Sequence, residues 1–228
     1  RDSSTSRGLG DVYKRQEEDW ACEARRYYTN IVGKYGAQVQ ALLKKAAGLD
    51  IQIICPLHGP VLSENLAFYL EKYNIWSSYA PEDEGIVIAY ASIHGNTRDA
   101  AIKLAAKLEE EGAKKVATFD LARDDMSEAI EDAFRYDKMV LAAATYDAGL
   151  FPCMESFLAH LKSKNYQKRT VGLIENGSWA PMAGKLMREE LSKMKEISIL
   201  EPVVSIRTTL SPQSGEQLEQ LAEVLLTK

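Results

Sequence analysis

The pattern of hydrophobic and polar positions changes near residue 85. From there to the end, short apolar runs alternate with amphipathic segments of helical period. The apolar runs have no polar alternate face, which is typical of strands that are covered by helices on both sides. Repeated strand and helix units of this kind predict an α/β fold, a doubly wound five-stranded parallel sheet of order 2-1-3-4-5. We predict strands at Ile86 to Ser92, Lys115 to Phe119, Met139 to Ala144, Thr170 to Ile174 and Val203 to Ile206, and helices at 97–111, 126–136, 152–164, 181–195 and 215–227.

The region before residue 85 shows a different organisation. A long helical pattern covers Cys22 to Ala47, with two glycines placed to kink or split it, and Ile51 to Cys55 predicts a short buried strand. A further helix is predicted from Asn65 to Tyr73. One strand and two helices do not easily close a core, so we expect their apolar faces to pack on something else. Residues 76–84 are predicted to be a linker, and residues 1–16 a non-native or disordered leader.

Composition narrows the classes of protein to consider. The formal net charge of -5 and the lack of a basic run argue against a nucleic-acid partner. No apolar stretch approaches the roughly 20 residues that span a bilayer, so we predict no membrane association and a cytoplasmic location. The three cysteines, Cys22, Cys55 and Cys153, form no CxxC pair, and we expect buried thiols without disulfides.

The segment Tyr90 to Thr97 joins the first predicted strand directly to a helix. Small, polar and glycine residues at such a junction present backbone N–H groups and the positive end of the helix dipole to an anion. This pattern predicts a phosphate-binding turn, although a simple turn followed by a helix cap has the same pattern. The predicted ligand residues of the turn are Ser92, Ile93, His94, Gly95, Asn96 and Thr97.

Two further loops end at the same edge of the predicted sheet, where the strand order reverses and ligands bind. Each combines an aromatic residue with glycine and small residues, so that backbone can approach a flat ring while the aromatic side chain covers its face. Tyr146 and Trp179 could equally be half-buried loop aromatics, and an Asp before Ala-Gly commonly forms a turn. The predicted ligand residues are Thr145, Tyr146, Asp147, Ala148 and Gly149 after the third strand, and Asn176, Gly177, Ser178 and Trp179 after the fourth.

Taken together, these loops resemble those of the flavodoxin-like domain of flavodiiron proteins, also called A-type flavoproteins. The segment Cys55 to Pro60 resembles the last iron-ligand segment of that family. The resemblance implies a flavodoxin-like FMN-binding domain at 85–228, preceded at 17–75 by the remnant of a metallo-β-lactamase-like di-iron domain. It also implies a homodimer that receives electrons from rubredoxin or a similar donor and reduces dioxygen or nitric oxide at the two irons.

The histidine content departs from the family's di-iron pattern. By position, His58 matches the family's final iron ligand, but the chain has only two other histidines, His94 in the turn and His160 in a predicted helix. Such a site needs several histidines and bridging carboxylates. We therefore expect that this chain is N-terminally truncated, binds FMN without the di-iron centre, and supplies no catalytic residue of its own. For His58, an imidazole bonded to neighbouring backbone is as good an interpretation as a metal ligand.

Two other functions fit parts of the sequence. A self-contained flavodoxin-like carrier, or an FMN-dependent quinone or nitro reductase, would use the same crevice. Neither a GxGxxG turn nor a GxxxxGK[ST] loop is present, which disfavours a dinucleotide or nucleoside-triphosphate fold. A receiver-type signalling domain shares the topology, but Asp147 lacks the acidic neighbours that such a domain needs.

Overall fold

A computed structural model describes residues 20–227, and it confirms the predicted α/β class with a doubly wound parallel sheet. The predicted leader at 1–16 lies outside these residues. The first segment contains α1 (Ala21–Tyr27), a π-helical turn (Tyr28–Val32), a 3-10 turn (Gly33–Tyr35), α2 (Gly36–Ala46) and α3 (Leu66–Ser77). The sheet region contains β1 (Asp83–Ala91), α4 (Asn96–Glu110), β2 (Val116–Asp120), α5 (Met126–Arg135), β3 (Tyr136–Tyr146), β4 (Gly149–Leu150), α6 (Pro152–Ser163), β5 (Arg169–Asn176), α7 (Ala183–Leu191), β6 (Ile197–Ile199), β7 (Val204–Ile206) and α8 (Pro212–Leu226).

The sheet order is β2-β1-β3-β5-β6, with β7 also paired to β5. The fifth position of the predicted sheet is therefore filled by two short strands. Arg169 of β5 pairs with Ile197, and Ile174 pairs with Val204, all in parallel register. The sequence pattern predicts the second of these, at Val203 to Ile206, but not β6.

Helices cover both faces of this sheet, and successive residues of β1 alternate between the two cores. Val87 and Ala89 pack in one core, with α5, α6 and α7, whereas Ile86 and Ile88 pack in the other, with α4 and α8. Because each strand is apolar on both faces, β1 and β3 are buried along nearly their whole length. This burial fixes the register of the strands that carry the predicted site.

The predicted split of the first helix occurs at its two glycines. Helical geometry changes to a 3-10 turn at Gly33, and α2 begins at Gly36. A Cβ at Gly36 would lie only 2.7 Å from the Tyr79 ring and 2.4 Å from the Ser77 carbonyl oxygen. The Tyr79 hydroxyl donates to the Gly33 carbonyl at 2.8 Å. The backbone at Gly36 therefore lies close to the end of α3 and to Tyr79, and the helix is interrupted at this contact.

Three sequence predictions for the first region need correction. Ile51 to Cys55 is not a buried strand, because only Ile54 forms a bridge, to Leu62, and Ile53 is exposed. The linker is shorter than predicted, since α3 continues to Ser77 and β1 begins at Asp83. The cysteines of this region are less buried than predicted, since Cys55 is exposed and Cys22 is only partly buried, as is Cys153 on α6.

A buried ionic network holds α1 against the sheet region. Arg25 donates to Glu131 of α5 and to Glu82, which precedes β1, at 2.9 Å each. Glu82 also accepts from Lys72 at 2.7 Å and from the Trp76 indole at 2.6 Å. Part of the first region is thus docked on the sheet region. Among the helices of residues 20–227, none has the length and apolar character of a membrane span.

Candidate functional site

The turn after β1 leaves the start of α4 without a side-chain cap. Gly95 is the N-cap residue, in the left-handed region at φ +94°, and no side chain caps the helix. The Gly95 N–H donates to the Ser92 hydroxyl oxygen at 3.1 Å. The first N–H groups of α4 therefore remain for an anion, together with the Ser92 hydroxyl proton. Ile93 and His94 of this turn are exposed.

The predicted ligand Thr97 lies beneath the turn rather than on the surface, with 2% of its area exposed. Its Oγ1 accepts a hydrogen bond from Nδ2 of Asn176 at 3.3 Å. Two of the predicted loops are thus joined by a direct contact. Asn96, one position earlier, is half-buried at the first residue of α4.

The loop after β3 is a two-residue β-hairpin that leads into β4. Tyr146 pairs with Gly149, and both residues between them, Asp147 and Ala148, have positive φ, +49° and +56°. Positive φ at both central positions is the geometry of a type I′ turn, which suits Asp and Gly better than Ala. Tyr146 is 51% exposed, and its ring contacts Phe151 edge-on at 5.8 Å between centroids.

Thr145 connects this hairpin to the start of α7. Its Oγ1 accepts from the backbone N–H groups of Met182 at 2.9 Å and Ala183 at 3.2 Å. Its hydroxyl proton remains available as a donor. The Thr145 side chain therefore helps to fix where the loop after β5 ends.

The loop after β5 presents Trp179 to solvent, with 87% of its area exposed. The Gly177 N–H donates to the Ile206 carbonyl at 3.1 Å, and a Cβ on Gly177 would lie 2.9 Å from Cα of Pro181. Glycine is therefore required by the close return of the chain at Pro181. Ser178 is exposed beside Trp179. No ring contact joins Trp179 to Tyr146 among residues 20–227; Trp179 is largely open to solvent, whereas Tyr146 is half-exposed and also contacts Phe151.

Charged groups lie close to the turn after β1. Arg98 donates from Nε and Nη2 to Asp99 at 3.0 and 2.8 Å, and these hydrogen bonds raise the pKa of Arg98. Its Nη2 lies 3.2 Å from where a Cβ of Gly95 would be. The guanidinium is therefore at the turn. Burial, together with the charges of Asp120 and Asp124, raises the pKa of the neighbouring Tyr90.

The histidines do not form a metal centre. His58 is exposed, and its ring contacts that of Tyr27 at 5.5 Å. His160 is exposed on α6, where Nδ1 lies 2.8 Å from the Ser156 carbonyl oxygen. Within residues 20–227, no group of three or more His, Cys, Asp or Glu side chains could hold a metal ion. These residues do not fit a di-iron site.

Sequence reasoning missed two residues that organise this edge of the sheet. Glu175 accepts from the Gly184 N–H at 2.9 Å and from the Ser205 hydroxyl at 3.0 Å, which connects β5 to α7 and β7. Thr208 exchanges two hydrogen bonds with the Asn176 amide, at 3.1 Å each, in a left-handed conformation. Nothing in the sequence signals a left-handed threonine.

A separate cavity of about 520 Å³ lies between α6 and α7. Its apolar lining includes Leu158 and Leu186, and the hairpin reaches it through Ala148 and Gly149. It includes no residue of the phosphate turn or of the loop 176–179. This cavity therefore shares only the hairpin residues Ala148 and Gly149 with the crevice that the sequence predicts.

Comparison with known proteins identifies the sheet region. The flavodoxin domain family matches residues 87–206. An uncharacterized protein of Methanocaldococcus jannaschii is 25% identical over 60% of this chain and 35% of its own length. The anaerobic nitric oxide reductase flavorubredoxin of Aliivibrio fischeri is 26% identical over 68% of this chain and 32% of its own length. The chain thus spans about a third of the length of these relatives.

Among solved structures, the rubredoxin oxygen:oxidoreductase of Desulfovibrio gigas superposes with a TM-score of 0.83 at 22% identity. The match covers 90% of this chain and 51% of that one. At this identity, the likeness establishes a shared fold. The family match runs from Val87 within β1 to Ile206 at the end of β7 and includes all three predicted loops. The chain therefore belongs to the flavodoxin domain family, and its resemblance to flavodiiron proteins, predicted from the sequence, is confirmed.

Proposed function

We propose that residues 85–228 bind FMN and serve as the electron-transfer domain of a flavodiiron-type oxidoreductase. One observation carries the proposal: the uncapped start of α4 at Gly95 lies at the sheet edge where the loops after β3 and β5 also end. A phosphate at that helix start would meet N–H groups and the positive end of the helix dipole. The family match supports FMN as the ligand.

The residues of the crevice have distinct parts in this proposal. Ser92 and the first N–H groups of α4 would hold the phosphate, and the exposed rings of Tyr146 and Trp179 would enclose the flavin ring and exclude water. The Asp147 carboxylate, if near the ring, would disfavour a negative charge on the reduced flavin. When bound, FMN supplies reversible electron transfer, and no acid, base or nucleophile of the protein is needed.

For the complete protein we infer reduction of dioxygen or nitric oxide, with electrons from rubredoxin or a similar donor, in a homodimer. The support is the resemblance together with the activities named for two similar proteins, a nitric oxide reductase flavorubredoxin and, by structure, a rubredoxin oxygen:oxidoreductase. The metal chemistry would belong to residues outside the described ones, since residues 20–227 do not fit a di-iron site.

We also propose that residues 17–75 belong to a metallo-β-lactamase-like domain, connected to the flavodoxin-like domain by the short segment between the end of α3 at Ser77 and the start of β1 at Asp83. Several large apolar side chains of this segment are exposed, including Leu42 and Leu49 on and after α2, and Leu57, which is 98% exposed. Several exposed large apolar side chains within one segment are consistent with a surface that another part of a protein covers. A cover of that kind would also enclose His58.

The test is to incubate the protein with FMN, remove unbound flavin by desalting, and record the visible spectrum with an iron assay of the same sample. We expect the flavin bands to be retained and the iron content to be negligible. We also expect the bound flavin to be reduced faster in the presence of reduced rubredoxin than in its absence. Absence of retained flavin would contradict the proposal. Oxidation of NADPH without any added protein would instead favour a self-contained reductase.

A further inference from the structure

The Asn176 side chain lies where β5 ends and is almost fully enclosed, with 7% of its area exposed. Its Nδ2 donates to the Thr208 carbonyl at 3.1 Å and to Oγ1 of Thr97 at 3.3 Å. Its Oδ1 accepts from the Thr208 N–H at 3.1 Å. One amide thus connects three segments: β5, the first turn of α4 and the loop after β7.

These contacts fix the orientation of the amide and of the Thr97 hydroxyl. Only one assignment of Oδ1 and Nδ2 satisfies both backbone groups of Thr208, so Nδ2 must face Thr97. Because Nδ2 can only donate, Oγ1 of Thr97 accepts, and the hydroxyl proton points away from Asn176. Thr97 is the second residue of α4, so this bond anchors the helix turn whose N–H groups are left uncapped.

The backbone of Thr208 supports a functional purpose for this arrangement. Its φ is +71°, in the left-handed region, which is unfavourable for a β-branched residue. Such conformations persist only where the surroundings hold them, and they cluster at ligand sites. Here the two hydrogen bonds exchanged with Asn176 hold the residue, so the strain is stored beside the turn after β1.

We propose that Asn176 is a positioning residue for the ligand's phosphate, acting through Thr97 rather than by contact with the flavin ring. This inference rests on the proposed FMN function and assigns to Asn176 a role different from direct cofactor contact. By anchoring the first turn of α4 to the loop after β7, the amide fixes the direction in which the uncapped N–H groups of this turn point. Its loss would therefore weaken recognition of the phosphate and leave recognition of the ring unchanged.

The experiment compares FMN with riboflavin, which has the same ring but no phosphate, by quenching of flavin fluorescence. In Asn176→Ala we expect the Kd for FMN to rise about tenfold, the effect of one hydrogen bond, while the Kd for riboflavin stays within about twofold. Thr97→Val should give the same shift without touching Thr208. Thr97→Ser keeps the hydroxyl, so its ratio of the Kd for FMN to the Kd for riboflavin should equal that of the wild-type protein.

A double variant and a matched control separate positioning from general loosening. Asn176→Ala combined with Thr97→Val should shift the FMN to riboflavin ratio no further than either change alone, because both remove the same bond. Ser205→Ala removes a neighbouring hydrogen bond, to Glu175 at 3.0 Å, that does not touch the turn, and should leave the ratio unchanged.

Two results would overturn the inference while leaving FMN binding intact. One is an equal loss of affinity for both flavins in Asn176→Ala, and the other is an unchanged ratio in Thr97→Val. Should Asn176→Ala fail to fold, the inference is tested by the FMN to riboflavin ratios of Kd in Thr97→Val and Thr97→Ser. A wild-type protein that binds neither flavin would refute the proposed function, and the positioning role with it.

Discussion

Replacing Arg25 with methionine should destabilise the protein strongly, because Arg25 is the shared cation of two buried carboxylates. Its side chain is 3% exposed, and those of its partners Glu82 and Glu131 are 4% and 6% exposed. Removing one partner of a buried ion pair costs about 3 to 5 kcal/mol, a large part of the stability of a typical domain.

The structure places the expected loss near the lower end of that range. Glu82 would keep Lys72 and the Trp76 indole as partners. Glu131 would keep only a weak contact with Cys22, at 3.6 Å, but it can relieve its charge by taking up a proton. Burial already raises the pKa of Glu131 to about 7, against the attraction of Arg25. We therefore expect a loss of about 3 kcal/mol at pH 8 and a smaller loss at pH 6.

Urea unfolding followed by circular dichroism at pH 6 and pH 8 measures this loss. Arg26→Met is the matched control, since Arg26 pairs with Glu23 and Glu128 at the surface and should contribute less than about 1 kcal/mol. Adding Glu131→Gln to Arg25→Met should restore part of the stability. A midpoint for Arg25→Met equal to that of Arg26→Met, at both pH values, would refute the reasoning.

Three further predictions concern pH, the hairpin and the phosphate turn. The folded pKa of Glu131, about 7, lies above its ordinary value of 4.5, so the contribution of Glu131 to stability is complete below pH 4.5 and is lost as the pH rises through 7. In Glu131→Gln, the free energy of unfolding should therefore depend less on pH between 4.5 and 7 than in the wild-type protein. Ala148→Gly relieves a left-handed residue and should raise the urea midpoint, by about 0.5 to 1 kcal/mol in free energy, whereas an unchanged or lower midpoint would argue against strain there. Arg98→Gln should weaken FMN binding about threefold in titrations at low salt, and an equal effect of Lys103→Gln would show that only net charge matters.

The alternation of apolar strands with amphipathic helices was sufficient to predict the topology of the sheet region. Strands buried on both faces have a distinctive composition, and parallel order with helices on both faces leaves few arrangements. The ends were less well predicted. The β3 strand runs from Tyr136 to Tyr146 rather than Met139 to Ala144, because pairing with β1 and β5 extends it beyond its apolar run.

The first region was predicted less well because its apolar residues serve two different purposes. The sequence pattern places Ile53 in a buried strand and Trp76 in the linker, but Ile53 is exposed and Trp76 is buried against Tyr28. Hydrophobicity alone does not say which surface a side chain meets. The ionic network around Arg25 was equally invisible, since its members are separated by as many as 106 residues along the chain.

The sequence by itself determined the strand order, the turn at Ser92 to Thr97 and the loops that end beside it, because these follow from local patterns of polarity and glycine. Only the tertiary structure decided how those loops are held. The Asn176 amide reaches across to Thr97 and Thr208, and Thr145 binds the start of α7, contacts that depend on the register and twist of the finished sheet. Such contacts arise between residues far apart in the chain, and local pattern carries no information about them.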